Sequence, residues 1–229
     1  LDQIDQVAEA LKLQKITGVP HVVVNKVGVY GNLAALDAVL AHASAQSVDH
    51  IVNLGDICSG GLWPSETADR LMALNLPTIR GNHERQVLDG RPETMGLSDK
   101  HAVTTLRKDQ KDWLASLPAS LRLTDEIILV HGTPTSDLIY FLETVTEQGV
   151  RPATVDEVMH RAGKCDAPVI LCGHTHVPRA VRLNDGRLIV NPGSVGLPAY
   201  DDDQPFPHVI ENGSPHARYA IVSGDAGVW

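Results

Sequence analysis

Four short apolar stretches of this 229-residue chain run into residues that can bind a cation or move a proton. Asp56 follows His50–Leu54, and Asn82 and His83 follow Thr78–Arg80 across Gly81. His131 follows Ile127–Val130, and His174 follows Val169–Cys172, with His176 two residues beyond. Carboxylate, amide and imidazole without thiolate are the donors of a mixed nitrogen and oxygen site for a transition metal. Asp56 has two oxygens and can bridge two ions. Water held between ions about 3.5–4 Å apart ionises near neutral pH and can attack phosphorus. His83 can donate a proton, and glycine before Asn82 lets the backbone reverse or approach a ligand closely. Each segment alone is a common polar loop; their weight lies in four strand ends sharing one chemistry.

The elements that position these residues follow from hydrophobic spacing. His21–Val29 is rich in valine and is predicted as a strand. A helix follows from Gly31-Asn32 to about Ala45, with Leu33, Leu36, Val39 and Leu40 on one stripe. His50–Leu54 is a second strand, Pro64 opens a helix running to about Leu74, and Thr78–Arg80 is a third strand. Alternation at this spacing implies neighbouring parallel strands joined by right-handed crossovers. In such α/β sheets ligands bind at the carboxyl ends of the strands, where the candidate residues lie. Residues 85–104 are predicted irregular, with a helix at about Asp109–Leu117; residues 85–118 are a candidate cap segment.

In the second half, Arg122–Thr124 and Ile127–Val130 are predicted as paired strands, and residues 138–163 as helix in two pieces broken at Gly149 and Pro152. Val169–Cys172 is a strand. Ala180–Leu183 and Arg187–Val190 form a hairpin across Asn184-Asp185-Gly186, and Arg218–Val222 is the last strand. Residues 2–16 are predicted as an amphipathic helix within an N-terminal extension (residues 1–20), a candidate contact for self-association. No repeat or linker divides residues 1–229, so a single domain is expected.

Composition narrows the function. A formal charge of −9 opposes broad, sequence-independent nucleic-acid binding, while a phosphorylated substrate remains compatible because metal ions supply local positive charge. No apolar stretch reaches membrane-spanning length, and three cysteines without framework spacing fit a reducing cytosol. The expectation is a soluble, cytoplasmic protein. His21, His42, His50, His101, His160, His208 and His216 are expected as surface or core histidines.

In this order, Gly55-Asp56, Gly81-Asn82-His83-Glu84, His131-Gly132 and Gly173-His174-Thr175-His176 resemble the motifs of the calcineurin-like metallophosphoesterases, in particular the bacterial phosphodiesterase branch. Asn191–Gly196 is similar to that family's loop after the hairpin, and the resemblance spans about residues 21–222. It implies a two-sheet α/β sandwich flanked by helices, four layers in the order α/β/β/α, with metals at one end. It implies hydrolysis of a phosphodiester or phosphomonoester by a metal-bound hydroxide, with Mn, Fe, Zn, Co or Ni as the ion and a small phosphorylated substrate or phosphate as partner. Position by position, Asp56 would bridge the ions; Asn82, His131 and His174 would complete one site, and His176 would belong to the other. His83 would be the general acid.

The first motif departs from the family. Where the family has Asp-x-His-Gly-Asn, this chain reads Gly28-Val29-Tyr30-Gly31-Asn32. Gly28 offers no ligand, and a phenol with a pKa near 10 is a reluctant one. The expectation is therefore one firm ion site, one incomplete site and weakened activity, with Tyr30 as a packed or substrate-facing phenol. The reading from a different class is a pseudoenzyme that binds one metal or a phosphorylated ligand as a sensor or scaffold.

Overall fold

A computed structural model describes residues 21–25, 28–46, 48–91, 93, 95–224 and 229. The helix expected at residues 2–16 and the extension at 1–20 lie outside the described residues. The first sheet has the order β12-β1-β2, formed by Ala220–Ser223, His21–Asn25 and His50–Asn53. β1 runs parallel to β2 and antiparallel to β12. Asn53 and Thr78 add a single parallel bridge at its edge. The second sheet has five strands in the order β3-β4-β7-β9-β8: Ser120–Arg122, Ile127–Val130, Val169–Leu171, Leu188–Asn191 and Arg179–Arg182.

Strand periodicity explains the layering. Along a strand, alternate side chains face opposite sides. Val52, Leu54, Ile127, Leu129, Val169, Leu171 and Val190 pack together between the two sheets. Their neighbours face outward: Ile51 packs under helices on one side, and Val130, Ile170 and Ile189 pack under a helix and hairpin on the other. The first outer layer comprises α1 (Leu33–Ser44), α2 (Pro64–Leu74), α3 (Asn82–Asp89), α4 (Leu97–Thr105) and α5 (Lys108–Ser116). The opposite layer holds α6 (Val155–Ala162) and the hairpin β5 (Glu143–Thr146) and β6 (Gly149–Pro152). The expected α/β/β/α sandwich is the fold. A further hairpin, β10 (Ala199–Asp202) and β11 (His208–Glu211), leans over the strand ends.

Several local expectations are corrected. Residues 138–163 are not helix in two pieces: β5 and β6 pair across a turn at Glu147-Gln148, with Gly149 (φ +110°) opening β6, and only 155–162 is helical. The β-branched residues of Glu143–Thr146 favour the strand, and a Thr154–Glu157 capping box starts the helix late. Residues 85–104 are not irregular, because α3 and α4 occupy most of them. Their buried apolar stripe, carried by Val87 and Ala102, is too narrow to register as a helical period in the sequence. The strand expected at Thr78–Arg80 reduces to the one bridge, and the pairing expected at Arg122–Thr124 shifts to Ser120–Arg122. The first strand stops at Asn25, well short of Val29. Residues 85–118 share their apolar side with the core, through Val87, Ala102, Leu106, Leu114 and Leu117, while Gln86 and Ser98 line a cavity above the strand ends.

One buried side chain ties the loops of the first sheet together. Glu84, 1% exposed, accepts three backbone N–H groups. Asp56 donates to Oε2 at 2.8 Å, Ile57 to Oε1 at 2.7 Å and Gly81 to Oε2 at 2.8 Å. Burial and the charge of Asp56 raise its pKa, against those three N–H donors. Removing the carboxylate strands three buried donors, each costing about 1–3 kcal/mol. For a chain of this size each kcal/mol lowers Tm by roughly 2–4 °C. Glu84→Ala is expected to lower Tm by about 6 °C or more, measured by scanning calorimetry, because the cost of the three unpaired donors adds.

Candidate functional site

The loops after β2, β4 and β7, together with the start of α3, meet at one end of the sandwich. Asp56, His131 and His174 each present a ligand atom there, all within 4.8 Å of one another. Asn82 joins them, its Oδ1 lying 3.0 Å from His131 Nε2. His131 shows what this cluster is suited to. Its Nδ1 lies 2.7 Å from the Leu54 carbonyl, which can only accept, so Nδ1 carries a proton. In the neutral ring Nε2 is then a lone pair, yet it faces two more electron-pair donors: Asn82 Oδ1 at 3.0 Å and Asp56 Oδ2 at 3.1 Å. Three lone pairs converging in a buried space call for a cation, and a ring N–H held by a backbone carbonyl is the usual support of a ligating imidazole. His174 is arranged alike, with Nε2 3.1 Å from the Leu138 carbonyl, leaving Nδ1 as its lone pair. The donor set fits one divalent ion.

Electrostatics favour the same reading. Burial opposes charge on Asp56, but His131, His83 and His174 hold its pKa well below the usual carboxylate range. Burial pulls His174 down to about 4 and His176 to about 3, so both rings are neutral and their lone pairs are available. For His131 burial works downward, but the Asp56 carboxylate outweighs it and raises the pKa: without an ion, a proton on Nε2 answers the Asp56 and Asn82 oxygens in the place a metal ion would take. Burial also lowers His83, yet Asp56 and then Asp99 raise it to about 9.

His83 stands beside the cluster on the first turn of α3. Its backbone N–H donates to Asp56 Oδ1 at 3.3 Å, and its Nδ1 pairs with Asp99 Oδ1 at 2.8 Å. With Nδ1 so engaged, Nε2 is left for the cavity that His83 lines. That cavity, about 990 Å³, also takes in Asn82, His174, Tyr30, Tyr140 and Tyr200.

His176, expected to serve the other ion, lies buried beside this cluster. It is 0% exposed, and neither ring nitrogen has a hydrogen-bond partner among the described residues. Its ring meets the edges of Tyr30 at 5.2 Å and Tyr200 at 4.9 Å. Tyr30 is both packed and cavity-facing. Its hydroxyl donates to Asp56 Oδ2 at 3.2 Å, and burial, then Asp56, raise its pKa so that the proton stays.

Backbone conformation marks the same loops. Tyr30, Asp56, His174 and His176 have φ of +49°, +56°, +69° and +59°; among the described residues the one other non-glycine at positive φ is Asn75, ending α2. Left-handed backbone costs about 1–2 kcal/mol per residue, so about 4–8 kcal/mol must be held by surrounding bonds. Glu84 holds the Asp56 loop. Asn191 holds the histidine loop, donating from Nδ2 to the Gly173 carbonyl and the Thr175 hydroxyl, both at 2.9 Å.

Asp99, Tyr140, Tyr200 and His208 escaped the sequence reading. Tyr200 donates to Tyr140 at 2.8 Å, and the Tyr140 hydroxyl lies 2.9 Å from His208 Nε2. No sequence spacing links these positions, because a helix (Asp99), a loop (Tyr140) and the β10–β11 hairpin (Tyr200 and His208) deliver them. Glu84 and Asn191 did carry a signal, since both sit inside the motif segments.

Gly81 shows how little room the cluster leaves. A Cβ there would lie 2.2 Å from Asp56 Oδ1 and 2.6 Å from His131 Cε1. Gly81→Ala is expected to displace both side chains and lower the affinity for Mn²⁺ or Zn²⁺ by at least about tenfold by titration calorimetry, the scale seen when a ligand's support is removed.

Comparison with known proteins agrees with this geometry. An uncharacterised protein of Methanocaldococcus jannaschii is 26% identical over 194 residues, covering 74% of each chain. The crystal structure of a metallophosphoesterase from Sphaerobacter thermophilus is similar with a TM-score of 0.67 and 26% identity, covering 89% of this chain and 83% of that one. A hypothetical protein from Pyrococcus horikoshii shares the fold with a TM-score of 0.62 at 15% identity, over 90% of this chain and 88% of its own. Residues 21–210 match the calcineurin-like phosphoesterase superfamily domain, and the chain belongs to that family.

Proposed function

We propose that this chain is a metal-dependent phosphoesterase acting on an organic phosphodiester or phosphomonoester. The ion is held by Asp56, Asn82, His131 and His174. The observation that carries this reading is the convergence of His131 Nε2, Asn82 Oδ1 and Asp56 Oδ2 within 3.0–3.1 Å of the imidazole nitrogen, with no proton to share between them in the neutral ring. Mn, Fe, Zn, Co and Ni all suit such donors. When bound, the ion supplies Lewis acidity and lowers the pKa of a water it holds.

The chain's own residues supply the rest. Asp99 fixes the His83 ring so that Nε2 faces the cavity, where it donates to a phosphoryl oxygen or to the departing alkoxide. Leu138, Ile139, Tyr140 and Tyr200 line the wall beyond the polar cluster. A phosphate alone needs far less space than about 990 Å³, so this wall suits the organic group of an ester. Among the described residues no helix is long and apolar enough to cross a membrane.

Hydrolysis of p-nitrophenyl phosphate and bis-p-nitrophenyl phosphate, with each ion added in turn and then chelated, tests the reading. Chelator-sensitive turnover is expected. His131→Ala should lower kcat/KM by at least about 100-fold together with ion content. His83→Ala should lower kcat by about 100-fold or more while ion content stays unchanged. Retention of an ion with no turnover on any ester would sink the enzymatic reading and leave the sensor or scaffold role.

A further inference from the structure

The space beside Asp56 Oδ2 and His176, where the family's other ion would lie, is filled by protein. The Tyr30 ring stands edge-on to His83 at 5.3 Å and to His176 at 5.2 Å, with its hydroxyl 3.2 Å from Asp56 Oδ2. A transition ion sits about 2.0–2.2 Å from its oxygen and nitrogen ligands. An ion reaching both Asp56 Oδ2 and His176 would need volume that the phenol holds. The donor set fails as well: Gly28 has no side chain, and the Tyr30 hydroxyl points its proton, not a lone pair, at Asp56 Oδ2. Only Asp56 and His176 remain, fewer than the three or four protein ligands usual for such an ion.

Gly28 is tied to this arrangement. A Cβ at Gly28 would lie 2.4 Å from Tyr30 Cε2, 2.7 Å from its Cδ2 and 2.9 Å from Ser194 Oγ. The loop cannot easily withdraw. The Ser194 hydroxyl donates to the Gly28 carbonyl at 3.0 Å, and the N–H groups of Gly28 and Tyr30 donate to the carbonyls of Gly55 and Asp56. Among the described residues, neither buried nitrogen of His176 has a hydrogen-bond partner, as in a ligand that faces a ring edge instead of an ion.

We infer that Tyr30 replaces the first ion: its hydroxyl donates a hydrogen bond to Asp56 where a metal–oxygen bond would otherwise form, and the chain is a one-ion centre. Gly28 and Tyr30 form a coupled pair, since the ring can lie there only if position 28 lacks a side chain. This rests on the proposed phosphoesterase reading for the ion that remains, at Asp56, Asn82, His131 and His174.

The test is metal content per chain by elemental analysis, on protein loaded with excess Mn²⁺ or Zn²⁺ and desalted. One ion is expected in the unaltered chain and in Tyr30→Phe, which keeps the ring. Two are expected in the double variant Gly28→Asp/Tyr30→His. Two ions in the unaltered chain would overturn the inference and leave the phosphoesterase reading intact. No ion in the unaltered chain would overturn that reading instead, while a gain of one ion in the double variant would still support the replacement by Tyr30. No gain in a double variant that melts cooperatively would refute it. Thermal melting supplies an independent check. Gly28→Asp alone is expected to lower Tm by about 5 °C or more through overpacking against the ring added to the left-handed backbone there (φ +66°), and adding Tyr30→His should recover the part due to the ring. Strict additivity of the two changes would count against the coupling.

Discussion

The Glu84 carboxylate is the constraint on which the site depends. Buried at the first turn of α3, it takes the backbone N–H groups of Asp56, Ile57 and Gly81 at 2.7–2.8 Å. Those bonds join the loop after β2 to the turn before α3, two segments distant in sequence. They also hold Asp56 in left-handed backbone, which would otherwise relax. A hydrogen bond to a charged group is stronger than one between neutral groups, so a single carboxylate can hold three such donors. With Asp56 set, His131 can reach it from the opposite sheet, and the two halves of the sandwich share one centre.

That sharing explains why the candidate site is built across sheets. His131 leaves β4 of the second sheet, yet its Nδ1 lies 2.7 Å from the Leu54 carbonyl of the first. The packed layer between the sheets, from Val52 and Leu54 to Leu129 and Leu171, fixes their separation. A packed core does not deform smoothly, so the spacing of the candidate ligands inherits its rigidity. The electrostatics depend on the same burial. Desolvation keeps His174 and His176 neutral, while the Asp56 and Asp99 carboxylates keep His83 charged. One protein end thus supplies lone pairs and a proton within a few ångströms.

Much of this was legible in the sequence. The chemistry-bearing residues could be named because each follows an apolar run, and a strand that reaches its end delivers its next residues to the sheet edge. The parallel strands and their crossovers were readable from β-branched runs alternating with helical stripes. Helices α3 and α4 and the β5–β6 hairpin were not. Their stability comes from contacts with distant residues, such as the N–H groups of Asp56 and Ile57 on Glu84, and propensity over a short window does not register them.

The family, the order of the candidate ligands along the chain and the lack of an acid and an imidazole at positions 28 and 30 are all written in residue identity, which alone decides whether a donor atom exists. What stands in their place follows from packing. The Tyr30 ring lies between His83 and His176 because the loop turns at positive φ, because Gly28 leaves space, and because Asp56 accepts its hydroxyl. The partners Asp99, Tyr140, Tyr200 and His208 belong to the same category, since their hydrogen bonds, from Asp99 with His83 to Tyr140 with His208, span from 16 to 68 residues of sequence. Such pairs are set by how layers pack, and local sequence carries no record of that distance.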